Sequence, residues 1–130
     1  MPAGVRILVA DDDDELQALI RRALEQEGYD VVQAMSGVEL VRELQRALPD
    51  LIVLDVALPD ADGRDFLASI KKDPKTAAIP VVVWSGRDAT SDRRIALELG
   101  AEDYVEKGSP YSLVSKIERL LLRVGPRALA

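Results

Sequence analysis

The 130-residue chain contains no cysteine and no histidine. Without cysteine there are no disulfides and no thiolate metal sites. Without histidine the usual general base and the usual zinc ligand are gone. Any metal must therefore be held by oxygen, which points to a hard cation such as Mg²⁺. Positive charge is also short: the net charge is −6, which argues against nucleic acid as a direct partner, because phosphate binding needs a basic surface. No run of about 18 apolar residues exists, so no transmembrane helix and no membrane partner are expected. The start, "MPAGVRILVADDDD", lacks the ordered basic region, apolar core and cleavage site of a signal peptide. A cytoplasmic location is the expectation. The length fits one domain, and a hydrophobic content of 48% suffices for a real core.

Short apolar runs alternate with amphipathic stretches. "VRILVA" (5–10), "YDVVQA" (29–34), "LIVLD" (51–55), "IPVVVW" (79–84) and "DYVE" (103–106) read as strands rich in Val and Ile. Several lack polar alternation, as strands buried on both faces of a parallel sheet do. In the first helical stretch Leu16, Leu19, Ile20, Ala23 and Leu24 form the apolar face, and Gly28 supplies the stop. The second opens with Ser36 and Glu39 at capping-box spacing. Its stripe is Val38, Val41, Leu44 and Leu48, and Pro49 ends it. The third is short, around Phe66, Leu67 and Ile70, and "LPDADG" before it reads as a turn. The fourth carries Ile95, Ala96 and Leu99 and stops at Gly100. The fifth starts at "SP", with Ser109 as N-cap and Pro110 in the first helical position. Leu113, Val114, Ile117, Leu120, Leu121 and Val124 are its buried face. Five strands alternating with five helices predict a doubly wound α/β fold with a five-stranded parallel sheet. Residues 1–124 form the domain, and 125–130 form a C-terminal tail.

Ligands of such folds bind beyond the carboxyl ends of the strands. The first strand runs into four aspartates, Asp11 to Asp14. That run suits a helix start, a disordered acidic patch or a cation site. The third strand ends at Asp55, the fourth at Ser85 with Gly86 after it, and the fifth at Lys107. Three acids, a hydroxyl and a lysine thus converge on one sheet edge. Converging carboxylates repel unless a cation joins them, and a hard divalent ion suits them. A carboxylate held beside such an ion can attack a phosphoryl group and form an acyl phosphate. The ion, the Lys107 ammonium and the Ser85 hydroxyl would offset the charge of the transferring group. Gly86 has no side chain to block the phosphate.

"ILVADDDDEL", "LIVLDVALPDADG", "VVVWSG" and "GAEDYVEK" resemble the receiver domains of two-component response regulators, in order and spacing, over nearly the whole chain. The resemblance implies a flavodoxin-like receiver fold that takes a phosphoryl group on Asp55 from a histidine kinase or histidine phosphotransfer protein. It implies Mg²⁺ held directly by Asp12 and Asp55, by Asp11 mainly through water, and by the backbone carbonyl of Ala57. Ser85 and Lys107 would contact the phosphoryl oxygens, and Tyr104 stands where the family often has an aromatic switch residue. Asp13 and Asp14 then begin the first helix, where an N-cap acceptor and negative charge are favourable. Such a domain is not an enzyme but a stoichiometric phosphoacceptor that assists its own phosphorylation and dephosphorylation. Its partners would include a downstream protein target, with dimerisation through the fourth helix, fifth strand and fifth helix as a further expectation.

Three departures stand out. Gly108 follows Lys107 where the family usually has proline, often cis, and a trans bond is expected here. Ser85 replaces the commoner threonine, which frees its rotamer. Ala57 has no polar side chain with which to orient water. The alternative is a pseudo-receiver, a protein-interaction module not controlled by phosphorylation. A haloacid-dehalogenase-type phosphatase would need a second aspartate where Ala57 stands. A nucleotide-binding reading fails because no Gly-rich fingerprint follows the first strand.

Overall fold

The computed structural model describes residues 4–86 and 90–124. In chain order the elements are β1 (Arg6–Ala10), α1 (Asp14–Gln26), β2 (Asp30–Ala34), α2 (Gly37–Arg46), β3 (Leu51–Leu54), β4 (Ala57–Leu58), β5 (Ala61–Asp62), α3 (Gly63–Lys72), β6 (Val81–Ser85), α4 (Thr90–Glu98), β7 (Asp103–Glu106) and α5 (Pro110–Val124). Five strands form one parallel sheet in the order β2-β1-β3-β6-β7. The doubly wound α/β expectation therefore holds. One feature was not foreseen: the segment 57–62, which takes in most of the expected turn, forms a two-stranded antiparallel ribbon of β4 and β5 on the way into α3.

Side chains alternate across a strand, so each strand feeds two cores. Ile7, Val9, Val53, Val82 and Trp84 pack with Ile20 and Leu24 of α1 and Leu113 and Ile117 of α5. Leu8, Ala10, Ile52, Leu54, Val81 and Val83 pack with Leu40 of α2, Leu67 of α3 and Ala96 of α4. Burying one such Leu or Ile side chain stabilises the fold by about 1.5–3 kcal/mol. The central strands carry almost no polar residues because both of their faces are covered. Gly28 and Gly100 close α1 and α4 with φ of 90° and 109°, a region that a side chain disfavours.

Two helix faces differ from the periodicity reading. In α1, Leu19 is exposed, and Gln17 is buried with Ile20 and Leu24. In α2, Val38 and Val41 are exposed and Leu40 is buried, while Leu48 lies past the helix end and is exposed. The Val38–Val41–Leu44 stripe and the Leu40–Leu44 line share Leu44, are centred about 80° apart and fit the helical period equally well. Leu40 is the one that reaches the core, packed with Leu8, Ala34 and Ile52 of the sheet. A Cβ on Gly37 would fall 2.4 Å from the far end of the Phe66 ring, so the start of α2 lies close against that side chain. The capping box is also shifted: Ser36 Oγ accepts from Glu39 N, but Glu39 Oε1 accepts from Met35 N at 2.8 Å. In α5, Ser109 Oγ accepts from Tyr111 N at 3.2 Å, and Pro110 is the first helical residue. The side chain of Val124 and the tail 125–130 lie outside the described residues.

Candidate functional site

Strand order reverses between β1 and β3, and the acidic residues gather there, beyond the strands' carboxyl ends. Asp55 N donates to Ala10 O at 2.9 Å, so the end of β3 is fastened to the end of β1. Asp55 is 3% exposed. Its Oδ1 accepts from Ala57 N at 2.9 Å, and its Oδ2 accepts from Lys107 Nζ at 2.8 Å. Lys107 is placed by its own backbone, whose N–H donates to Ser85 O at 2.7 Å. Ser85, the last residue of β6, is buried beside it.

Asp11 is fully buried. Its N–H donates to Ala34 O at 3.0 Å, and its Oδ1 accepts from Asp13 N at 2.9 Å. Its Oδ2 lies 2.9 Å from Lys107 Nζ, an ion pair off hydrogen-bond geometry that leaves this oxygen without a hydrogen bond. Burial pushes the Asp11 carboxyl above the ordinary range; the Lys107 contact and the Asp13 N–H oppose this without cancelling it. Burial pulls the Lys107 ammonium down, but its contacts with Asp55 and Asp11 outweigh that and hold it above the usual lysine value. Asp12 is exposed, and one carboxylate oxygen from each of Asp11, Asp12 and Asp55 lies within 4.8 Å of the others.

The donor set fits a hard cation. Three carboxylates converge, a buried Asp11 oxygen has no hydrogen bond, and Asp12 opens the cluster to solvent. A glycine makes the packing behind the cluster feasible: a Cβ on Gly63 would stand 2.4 Å from Val56 Cα and 2.8 Å from Asp55 O.

The family model of the response regulator receiver domain matches residues 7–118. The chain belongs to that family. The receiver is 38% identical over 125 residues to the phosphate regulon transcriptional regulatory protein PhoB of Escherichia coli, covering 95% of this chain and 55% of PhoB. It thus spans about half the length of that curated relative. It also superposes on the phosphorylated cyanobacterial phytochrome response regulator RcpA, with a TM-score of 0.84 and 32% identity, over 95% of this chain and 97% of that one. The Mn²⁺-bound form of response regulator Rcp1 gives a TM-score of 0.79 and 28% identity, over 87% and 91%.

The receiver brings Asp11, Asp12, Asp55, Ser85 and Lys107 to one edge, as the strand ends imply. Ala57 adjoins them through its N–H to Asp55 and pairs with Asp62 across the ribbon. Asp13 is the N-cap of α1, accepting from Leu16 N, and Asp14 begins the helix. The described peptide bonds include no cis bond, so Lys107–Gly108 is trans. Tyr104 is 3% exposed, with the Arg93 guanidinium 5.5 Å from its ring centre. Its ring belongs to the core on the α2–α3–α4 side of the sheet. Trp84 is wholly buried core. Residues 87–89, which follow Gly86, lie outside the described residues.

Two residues near the site escaped the sequence reading. Asp60 accepts from Gly37 N at 2.7 Å and Val38 N at 3.0 Å, so the loop after Asp55 caps α2. Those hydrogen bonds hold its carboxyl below the ordinary range. Gln17 is buried under the first loop, and its amide reaches three backbone carbonyls. Its one sequence signal is its place three residues before Ile20 and seven before Leu24, on the buried line of α1.

Proposed function

We propose that this receiver accepts a phosphoryl group on Asp55 from a phosphohistidine donor and changes a partner-binding surface in response. The observation that carries the reading is the Asp55 carboxylate held 2.8 Å from the Lys107 ammonium, with carboxylate oxygens of Asp11 and Asp12 within 4.8 Å. An Asp55 oxygen attacks phosphorus. An acyl-phosphate P–O bond forms, the P–N bond of the donor breaks, and its electron pair stays on that ring nitrogen, so the donor leaves as a neutral imidazole with the proton on its other nitrogen. Lys107 gives up its contact with Asp55 Oδ2 and follows the charge onto the phosphoryl oxygens. The Ser85 hydroxyl, at the end of β6, takes another of those oxygens. Asp11, Asp12, Asp55 and the Ala57 carbonyl would hold Mg²⁺. When bound, that ion supplies the positive charge that offsets the spread negative charge of the group in transfer. The Mn²⁺-bound form of Rcp1 and the phosphorylated RcpA support both parts of this reading.

The domain acts stoichiometrically and is not an enzyme with turnover of its own. Its donor is a histidine kinase or phosphotransfer protein, its target is a protein docking on α4, β7 and α5, and its compartment is the cytoplasm. Among the described residues no helix is long and apolar enough to cross a membrane. Incubation with acetyl phosphate and Mg²⁺ tests the chemistry. Intact-mass analysis should show one added phosphoryl group, absent in Asp55→Asn. Label persisting in that variant moves the site elsewhere, and no label on the wild type favours the pseudo-receiver.

A further inference from the structure

Gln17 lies in the first part of α1 and is 2% exposed. Its Nε2 lies 2.9 Å from Val9 O, 3.0 Å from Asp11 O and 3.2 Å from Ala34 O. An amide NH₂ has two hydrogens, so three acceptors share them. The reverse orientation would press Oε1 against three carbonyl oxygens, so the acceptors fix which way the amide points. Oε1 is left buried with no hydrogen bond. An apolar side chain of the same length would avoid that bare oxygen. It would also strip the only side-chain donor found on these three carbonyls among the described residues.

The three carbonyls belong to the end of β1, the loop after it and the end of β2. Carbonyls alternate along a strand: Ala10 O takes the Asp55 N–H on one side, while Val9 O and Asp11 O face Gln17 on the other. Ala34 O accepts from both Asp11 N and Gln17. Gln17 therefore joins the Asp11 N–H in tying the loop at Asp11 to the ends of β1 and β2, and Asp12 is the next residue along that loop.

We infer that Gln17 is a positioning residue for the cation site: its amide holds the loop that presents Asp11 and Asp12 to the ion. The inference rests on the reading that the acidic cluster binds Mg²⁺. Partners that orient metal ligands typically contribute tenfold or more to affinity. Titration calorimetry with Mg²⁺ on the wild type, Gln17→Met and Ile20→Val tests it. Ile20 packs in the core from the same helix and its side chain can donate to no carbonyl, so its variant reports the effect of lost packing alone. Gln17→Met should bind Mg²⁺ about tenfold more weakly, and Ile20→Val as tightly as the wild type. Equal affinity in Gln17→Met would overturn the inference and leave a purely structural amide. Should Gln17→Met fail to fold, the ¹⁵N side-chain resonances of Gln17 in the wild type decide. They should move along the Mg²⁺ titration with the same midpoint as the Asp12 amide, and resonances that stay still overturn the proposal. A wild type that does not bind Mg²⁺ removes the cation reading itself, and the inference with it.

Discussion

The Lys107 ammonium sits 2.8 Å from Asp55 Oδ2, although the two residues are 52 positions apart in the chain. The same nitrogen lies 2.9 Å from Asp11, so one cation holds two buried carboxylates together. Removing it leaves two like charges facing each other. Taking one partner from a buried pair costs about 3–5 kcal/mol, and the partial exposure of Lys107 places this case lower, at about 1–3 kcal/mol. Lys107→Met should therefore melt earlier in the absence of divalent ions. Mg²⁺ should then restore more stability to the variant than to the wild type, because the ion takes over the role of the lost ammonium. Thermal melts with and without Mg²⁺ check this. An equal Mg²⁺ effect in both proteins would mean that Lys107 does not compete with the ion.

Asp11 gives the opposite sign. Its folded-state pKa is raised, chiefly by burial. Its contribution is therefore fully present below its ordinary value of about 3.8 and is lost as pH rises through the raised folded value. At neutral pH the ionised group is a cost. Asp11→Asn resembles the protonated form and should melt a few degrees higher than the wild type at neutral pH without Mg²⁺. The gain should fade as pH falls below the carboxylate range. The same variant should bind Mg²⁺ more weakly. A lower melting temperature for Asp11→Asn at neutral pH would show that the Lys107 contact outweighs burial.

The strand ends were legible because a buried parallel strand is apolar until it leaves the sheet, so Asp11, Asp55, Ser85 and Lys107 each mark an exit. The resemblance then supplied their roles. The face of α2 was not legible, because the Val38 line and the Leu40 line fit the same period and the choice is made by packing on Leu8, Ala34 and Ile52 of the sheet. Asp60 and Gln17 were hidden for a related reason. Asp60 acts on backbone N–H groups 23 and 22 residues earlier, and Gln17 on carbonyls of the strand end before it and of β2; no helical spacing announces such bonds.

Asp60 is the easier of these two to test by pH. Two backbone N–H groups of α2 donate to it, and its carboxyl is held below the ordinary range. A depressed acid stabilises the fold above its unfolded value of about 3.8, and that contribution is lost as pH falls through the folded value. Asp60→Ala should lower the melting temperature at neutral pH, and the gap should close on acidification. Asp60→Asn should keep only one of the two bonds, because its amide has a single acceptor oxygen and turns an NH₂ toward the second N–H, so its melting temperature should fall between those of Asp60→Ala and the wild type. It should lose the pH dependence. A gap between Asp60→Ala and wild type that persists unchanged into strong acid would show that the carboxylate charge is irrelevant.

Two glycines near Asp55 should give opposite signatures. At Gly63 a Cβ would meet Val56 Cα at 2.4 Å and Asp55 O at 2.8 Å, both backbone atoms that cannot swing aside. Gly63→Ala must therefore displace the backbone on which Asp55 is carried. Overpacking of this kind costs about 1–3 kcal/mol, and phosphorylation by acetyl phosphate should slow along with it, since small misplacements of a reacting group cost about 10²-fold in rate. At Gly86 the nearest atom to a new Cβ is Lys107 Cδ at 4.0 Å, an ordinary contact. Gly86→Ala should melt like the wild type; its methyl would stand beside the Lys107 side chain, and we expect phosphorylation to slow without loss of stability. The pair separates support from access: melting temperature and phosphorylation rate should fall together in one variant and part company in the other. If Gly86→Ala takes phosphate at the wild-type rate, the incoming group does not pass over β6, and the approach to Asp55 must lie on the Asp12 side.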